Sequence, residues 1–180
     1  MKFNKNYILQ SQLDLPFLET NRDHLERIFK VLNKKYGLKK QNNKKLIDLG
    51  AGNGRIIIFS ALYYQIESVG IEIDMNLVSE GRENIKKLKK QKNIKKNVLK
   101  NIRIEHGDIY EQNLKDYDYI YLFSLPTMQK YMNHVFKTAK KGAIIIAYKY
   151  PLENFKFLEF KYKLELSIDP KIFTYFYKKM

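Results

Sequence analysis

A short apolar run that leads directly into three closely spaced glycines constrains this chain more than any other feature. Residues 46–49 predict a strand, Gly50, Gly52 and Gly54 follow, and residues 55–65 predict a buried helix. Glycine permits tight turns and close backbone approach to a ligand, and the first turn of a helix presents free N–H groups. A strand, a glycine loop and a helix in this order are typical of the crevice where open α/β sheets bind ligands.

Runs that predict strands alternate with runs that predict helices along the first 150 residues. The predicted strands lie at 46–49, 68–73, 101–105, 117–123 and 143–150. The predicted helices lie between Asn21 and Gly37, at 55–65, from residue 76 onward and at 127–139. Strands that alternate with helices form βαβ units and a mostly parallel sheet.

Two further strands are predicted after the fifth one, with no helix between them. Residues 155–166 and 172–177 alternate apolar and polar side chains, and Asp169-Pro170 supplies a turn. Because a tight turn joins antiparallel strands, we expect a C-terminal hairpin. The predicted fold class is α/β: a Rossmann-like, doubly wound, seven-stranded sheet that is mostly parallel and has an antiparallel C-terminal strand.

The length of the chain, 180 residues, is typical of one domain. No internal repeat and no long linker divides the sequence. We therefore predict a single domain over 1–180, with an N-terminal helical cap at 1–40, a ligand-binding core at 41–150 and the antiparallel hairpin at 151–180.

The basic charge of the chain leaves two interpretations open. The 34 Lys and Arg residues against 19 Asp and Glu give a formal net charge of +15, and basic surfaces neutralise nucleic-acid phosphates. However, 29 of the basic residues are Lys and 5 are Arg, although Arg is better suited to bidentate phosphate recognition. This imbalance favours the interpretation that the positive charge reflects the compositional bias of an A+T-rich genome. The lysine-rich stretch 86–100 is then a solvated surface.

The composition also excludes several classes of protein. The chain has no cysteine, so it can form no disulfide, no thiolate zinc site and no Cys nucleophile. Its three histidines, His24, His106 and His134, are scattered, and no metal site is predicted. No apolar run approaches a membrane span, and the first 15 residues lack the apolar segment of a signal peptide. A cytoplasmic monomer is expected.

Three acidic residues follow three successive predicted strands and complete a ligand site with the glycine loop. Asp48 ends the first strand, Glu72 ends the second, and Asp108 follows the third. The loop spacing G-x-G-x-G is neither the dinucleotide fingerprint nor a P-loop, and Asp48 would repel a pyrophosphate. A carboxylate at position 72 can accept ribose hydroxyls, and one at 108 can accept from an adenine amino group. This set of residues predicts an S-adenosylmethionine site.

At these positions the chain resembles the class I S-adenosylmethionine-dependent methyltransferases, over roughly residues 15–180. Asp48, Gly50, Gly52 and Gly54 match the first motif of that family. The resemblance implies that Glu72 binds the ribose and Asp108 lies beside the adenine. It also implies that Thr20 and Phe123 contact the cofactor.

A smaller group within that family is similar to three stretches of this chain. This group comprises the archaeal protein-lysine methyltransferases and the mitochondrial enzymes that methylate the c-subunit of ATP synthase. The similar stretches are Leu15-Pro16-Phe17-Leu18-Glu19-Thr20, Asp48-Leu49-Gly50-Ala51-Gly52-Asn53-Gly54-Arg55-Ile56 and Tyr119-Ile120-Tyr121-Leu122-Phe123-Ser124-Leu125-Pro126. The chain departs from the group where Glu19 replaces a proline, where Asn53 replaces an aspartate, and in the absence of a tryptophan after the fifth strand.

The resemblance implies that a lysine side chain of a protein is the methyl acceptor. Candidate residues for an acceptor slot follow the fourth and fifth strands: Tyr121, Phe123, Ser124, Tyr148 and Tyr150. A partly dry aromatic slot lowers the pKa of a lysine by desolvation, and aromatic faces attract ammonium groups. The aromatic residues are equally suited to the sheet core, and the sequence identifies no catalytic base. An RNA methyltransferase that uses the basic surface, and a non-catalytic cofactor- or nucleic-acid-binding module, remain as alternatives.

Overall fold

The computed structural model describes residues 19–89, 100 and 102–180. The predicted helical cap before residue 19, including the Leu-Pro-Phe-Leu stretch at 15–18, therefore lies outside the described residues. The same holds for residues 90–99, which include part of the lysine-rich stretch 86–100, and for residue 101, where the third strand was predicted to begin.

Seven strands form one sheet in the order β3-β2-β1-β4-β5-β7-β6. In chain order they are β1 (Lys45–Leu49), β2 (Glu67–Glu72), β3 (Ile102–His106), β4 (Tyr119–Leu122), β5 (Ile144–Tyr148), β6 (Leu158–Ile168) and β7 (Lys171–Lys179). The first five strands pair in parallel, and β7 is antiparallel to both β5 and β6. The predicted fold class is confirmed, with β6 as the edge strand and the antiparallel β7 one position inside it.

Helices cover both faces of this sheet. One face packs against α1 (Arg22–Tyr36), α2 (Arg55–Tyr64) and α3 (Met75–Lys89). The other packs against a 3₁₀ helix (Ile109–Glu111), α4 (Pro126–Gln129) and α5 (Asn133–Lys137). Strand side chains alternate between the two faces. In β4, for example, Tyr119 and Tyr121 belong to the first core, whereas Ile120 and Leu122 belong to the second.

The first helix begins and ends at the signals that the sequence contains. The Asn21 side chain accepts a hydrogen bond from the Asp23 N–H (2.8 Å), which caps the helix, and Gly37 adopts a left-handed conformation (φ 72°) at its end. The helix buries Leu25, Ile28, Phe29 and Leu32 against the sheet, as their helical spacing predicts. This packing fixes the residues just before the helix, Glu19 and Thr20, close to the ends of β1 and β4.

The single helix predicted over 127–139 is wrong, because the structure has the two short helices α4 and α5 there. Between them the Tyr131 N–H donates to the Met128 carbonyl (3.0 Å) and the Met132 N–H to the Gln129 carbonyl (2.9 Å). These hydrogen bonds span three residues, as in a 3₁₀ helix, instead of the four residues of an α-helix, so they interrupt the α-helix. Tyr131, which lies in this break, is also a weaker helix former than its neighbours Lys130 and Met132.

Candidate functional site

The glycine loop lies at the carboxyl end of β1, where the strand order of the sheet reverses between β1 and β4. Gly50, Gly52 and Gly54 have φ values of 85°, 54° and 83°, which favour glycine strongly over other residues. The backbone N–H groups of Gly50 and Ala51 both donate to the Ile71 carbonyl at 2.9 Å, so the loop is tied to β2. A Cβ at Gly50 would meet no atom within 4 Å, which leaves open space above the loop.

Two glycines outside the loop allow it to lie this close to its neighbours. A Cβ at Gly70 in β2 would lie 2.6 Å from the Ala51 Cβ, and a Cβ at Gly81 in α3 would lie 3.1 Å from the Asn53 carbonyl oxygen. The sequence analysis did not identify either residue. Gly81 carried a usable signal, since a glycine inside a helix costs about 1 kcal/mol relative to alanine and so requires a packing reason.

Glu72 lies at the carboxyl end of β2 with its carboxylate held by the backbone. One oxygen accepts from the Gly52 N–H (2.8 Å), and the other accepts from the Ile73 and Asp74 N–H groups (2.8 and 2.9 Å). A carboxylate has about four lone-pair sites, so one remains for a further donor. Hydrogen bonds to this acid therefore join the glycine loop to the end of β2.

Asp48 is the most unusual group at this edge of the sheet. Its side chain is only 1% exposed, and its Oδ2 atom has no hydrogen-bond partner among the described residues. Burial, followed by the negative charge of Glu72, raises the pKa of Asp48 well above its ordinary value. A buried carboxyl group without a partner is costly, and a bound cation or hydrogen-bond donor would relieve that cost.

Asp108 comes to the same edge from β3. Its Oδ1 atom accepts from the Tyr110 N–H (2.8 Å) and caps the 3₁₀ helix that follows. The preceding Gly107 N–H donates to the Glu72 carbonyl (2.9 Å), which holds the ends of β2 and β3 together. The structure thus brings the three predicted acids to the carboxyl ends of three adjacent strands.

The predicted acceptor residues Tyr121, Phe123, Tyr148 and Tyr150, called the aromatic cluster below, lie together at the ends of β4 and β5. The Phe123 ring meets the Tyr148 ring edge-on at 5.2 Å between centroids and stacks on Tyr150 at 6.3 Å, and Tyr121 stacks on Tyr148 at 6.4 Å. Asp48 and Tyr121 are partners in the β1–β4 register, which places the cluster beside the unpartnered carboxyl group.

The start of α1 holds the two innermost tyrosines through their hydroxyl groups. The Thr20 hydroxyl lies 3.0 Å from the Tyr121 hydroxyl, and His24 Nδ1 lies 2.7 Å from the Tyr148 hydroxyl. Burial raises the pKa of Tyr148 to about 12, while burial and the nearby Arg27 lower the pKa of His24. Both shifts favour a neutral imidazole that accepts a hydrogen bond from a protonated tyrosine. The sequence analysis assigned no role to His24 beyond its exclusion from a metal site.

Ser124, the remaining acceptor candidate, follows Phe123 directly. Its hydroxyl group is buried and has no hydrogen-bond partner among the residues described here. Its carbonyl accepts from the Gln129 amide at 3.1 Å, which fixes the backbone at the end of β4. The hydroxyl group therefore has hydrogen-bonding capacity that the described residues do not use.

The two residues that depart from the motifs of the lysine methyltransferases bind each other. The Asn53 amide donates to Glu19 (2.7 Å) and to Glu80 (3.0 Å), and Glu19 also forms an ion pair with Arg55. An aspartate at position 53 would place three carboxylates together. The asparagine and the glutamate are thus matched to each other.

The described residues form neither a metal site nor a membrane-spanning helix. Within residues 19–89, 100 and 102–180, no group of three His, Asp or Glu residues is arranged to hold a metal ion. Among the helices in the same ranges, none has the length and apolar character needed to cross a membrane.

Comparison of the chain with protein families gives one match. The model of the ANTKMT methyltransferase domain matches residues 48–159, which is more than half of the chain and includes the glycine loop, the three acids and the aromatic cluster. No curated protein sequence matches the chain.

Several solved structures of low sequence identity share this fold. An RNA methyltransferase from Salinibacter ruber, in complex with S-adenosyl-L-homocysteine, is 21% identical with a TM-score of 0.74 over 90% of this chain and 94% of that one. A SAM-dependent methyltransferase from Aquifex aeolicus is 15% identical with a TM-score of 0.64 over 99% of this chain and all of that one. MtNAS in complex with MTA and tNA is 12% identical with a TM-score of 0.66 over 88% of this chain and 60% of that one.

Proposed function

Because this chain belongs to the ANTKMT methyltransferase domain family, we propose that it methylates a protein lysine whose side chain enters the aromatic cluster. The resemblance found in the sequence is confirmed at the level of the family, the enzyme class and the cofactor, S-adenosylmethionine. The observation that supports the position of the acceptor is the pairing of Asp48 with Tyr121 in the β1–β4 register, which places the aromatic cluster next to this carboxyl group. The assignment of individual residues to the cofactor and the acceptor is part of the proposal.

The residues at the carboxyl edge of the sheet fit this cofactor. When bound, S-adenosylmethionine supplies a methyl group on a positively charged sulfur. The unpartnered carboxyl group of Asp48 suits a cationic ligand that carries an ammonium group, and the space above Gly50 admits a ligand close to the backbone. Glu72 retains a lone pair for a ribose hydroxyl, and Asp108 is held beside it for the adenine.

The remaining predicted cofactor residues lie between this edge and the aromatic cluster. Thr20 contacts Tyr121, and Phe123 lies at the end of β4 against Tyr148. Both are therefore positioned to contact the part of the cofactor that faces the acceptor. Gly52 and Gly54 shape the loop itself, and Gly52 also orients Glu72 through its N–H group.

The aromatic cluster favours a lysine in the state that methyl transfer requires. A lysine must lose a proton before its nitrogen can act as a nucleophile, and removal from water lowers its pKa. Burial raises the pKa values of Tyr121 and Tyr148, so both tyrosines keep their protons at neutral pH. They can hold and orient the amine but do not act as bases. Ser124 offers a hydroxyl oxygen to the remaining N–H groups, and positioning provides the catalysis.

Labelled methyl transfer into a cell lysate tests this function. We expect label in protein, released by protease as methyl-lysine and insensitive to ribonuclease. Label that ribonuclease removes would identify an RNA acceptor instead and would refute the proposal. Cofactor binding by calorimetry without transfer to either fraction would support the non-catalytic alternative.

A further inference from the structure

A lysine of this chain already lies in the aromatic cluster. The Lys149 ammonium nitrogen is 5.0 Å from the centroid of the Phe123 ring and 5.8 Å from that of Tyr148. Both distances are within the range of a cation–π interaction. The charge of Lys149 also contributes to the lowered pKa of His24, whose first cause is burial. The ammonium group thus lies among the aromatic rings that we assign to the acceptor.

The backbone holds Lys149 in a conformation that lysine rarely adopts. Its φ value of 66° is in the left-handed region, which costs a residue with a Cβ roughly 1 kcal/mol or more. Hydrogen bonds fix this conformation on both sides, since the Lys149 N–H donates to the Phe173 carbonyl (2.8 Å) and the Tyr150 N–H donates to the Tyr148 carbonyl (2.9 Å). A strained residue next to a functional site is often part of its mechanism.

Lys179 makes a similar aromatic contact elsewhere in the structure and serves as a comparison for Lys149. The Lys179 ammonium nitrogen is also 5.0 Å from the centroid of a phenylalanine ring, that of Phe157. Both lysine side chains are half-buried. However, β7 runs antiparallel to β5, so Lys179 lies at the amino end of the parallel strands, opposite the glycine loop. The two lysines share their aromatic contact and differ in their distance from the cofactor edge.

We propose that Lys149 is itself a methylation site, modified by the protein that contains it. This inference rests on the proposed function, since it takes the aromatic cluster as the acceptor slot. Lys149 Nζ first gives a proton to water, and its lone pair then forms a bond to the methyl carbon of S-adenosylmethionine. The electron pair of the broken carbon–sulfur bond stays on sulfur, which becomes the neutral thioether of S-adenosylhomocysteine. Lys149 regains a positive charge as methyl-lysine, which aromatic rings also bind.

Incubation of the purified full chain with labelled S-adenosylmethionine, followed by peptide mass spectrometry, tests the inference. We expect methyl groups at Lys149, with a rate constant that does not depend on protein concentration because the acceptor lies in its own slot. Lys149→Arg keeps the charge and removes the nucleophile, and it should reduce self-labelling at least about tenfold. The matched variant Lys179→Arg should leave self-labelling unchanged. A rate constant proportional to protein concentration, or equal labelling of Lys149 and Lys179, would overturn the inference.

A measurement without methyl transfer tests the location independently. Acetic anhydride acetylates accessible lysines, and their rates can be followed with and without S-adenosylhomocysteine. We expect S-adenosylhomocysteine to slow acetylation of Lys149 and to leave that of Lys179 unchanged. If it binds by calorimetry and affects neither lysine, Lys149 does not adjoin the cofactor and the inference is wrong. If lysate proteins become methylated while Lys149 does not, the inference fails and the proposed function stands. If no lysine of any protein is methylated, both fail.

Discussion

Replacement of Asp48 by asparagine should stabilise the cofactor-free protein and weaken cofactor binding. Asp48 is buried, its Oδ2 atom has no partner among the described residues, and burial together with Glu72 raises its pKa. A pKa raised in the folded state means that the folded protein binds more protons at Asp48 than the unfolded chain does. Its contribution to stability is therefore complete below the unfolded pKa of about 3.9 and is lost as pH rises through the folded pKa.

The sizes of the gain in stability and of the loss in cofactor affinity both follow from one acceptor atom, Asp48 Oδ2, which has no partner among the described residues. Leaving a buried polar group unsatisfied costs about 1–3 kcal/mol, and asparagine removes the charge that makes this cost large. For a chain of this size, 1 kcal/mol changes the Tm by about 2–4 °C. The variant should therefore melt about 2–12 °C higher at neutral pH. A hydrogen bond to a charged group contributes about 1.5–3 kcal/mol, so its loss should weaken S-adenosylmethionine binding about 10- to 150-fold.

Thermal unfolding at about pH 5 and about pH 8, with calorimetry of S-adenosylmethionine binding, measures both effects. The gain in Tm for Asp48→Asn should be larger at the higher pH. Asp118→Asn is the matched control, because hydrogen bonds from Lys44 and Lys140 lower the pKa of Asp118 despite its partial burial. A lowered pKa contributes stability above the unfolded value, so this variant should melt lower at both pH values and bind the cofactor normally. A lower Tm at pH 8 or an unchanged Kd for Asp48→Asn would refute the reasoning.

Three further variants test the packing of the loop and the acceptor slot. Asn53→Asp should lower the free energy of unfolding by about 1–3 kcal/mol, because the amide that binds Glu19 and Glu80 becomes a third carboxylate. Thermal unfolding measures this loss, which should be smaller at acidic pH. The double variant with Glu19→Gln should recover part of the lost stability. Gly70→Ala should cost about 1–3 kcal/mol in urea unfolding because its Cβ meets Ala51, whereas Gly107→Ala, whose Cβ would have ordinary contacts at 3.5 Å, should be close to neutral. Tyr148→Phe keeps the aromatic face and should retain lysine methylation in the labelled methyl-transfer assay. Tyr148→Leu should reduce kcat/KM about 2- to 30-fold in that assay. Equal rates for the two variants would exclude a role for the aromatic ring.

Local sequence patterns were sufficient to predict the strands of the sheet and the acids that lie together at one of its edges. All seven strands occur within a few residues of their predicted positions, because short apolar runs bounded by turn residues have few other uses in an α/β chain. In a parallel sheet, residues that follow successive strands come to one edge, so Asp48, Glu72 and Asp108 could be grouped from their positions alone. The spacing of the glycines then narrowed the classes of ligand, because it matched neither the dinucleotide-binding fingerprint nor the P-loop.

The contacts that complete the site could not be predicted, because they join distant parts of the chain. His24 reaches Tyr148 across 124 positions, and Thr20 reaches Tyr121 across 101. No local pattern encodes such pairs, since they depend on the path of α1 over the sheet. The same limit applies to Lys149, whose ammonium position depends on a left-handed backbone held by β7. The break between α4 and α5 was missed for a related reason: the apolar spacing of 127–139 fits one helix as well as two.

The departures at positions 19 and 53 show why the residues of a motif have to be compared as pairs. Taken singly, each change weakens the resemblance to the lysine methyltransferases. In the structure, Asn53 donates to Glu19, and Glu19 forms an ion pair with Arg55 at the start of α2. Arg55 also donates to the Thr20 carbonyl (3.4 Å), and Thr20 contacts Tyr121. The two changed residues therefore take part in one chain of polar contacts that runs from the glycine loop through Arg55 and Thr20 to Tyr121 of the aromatic cluster.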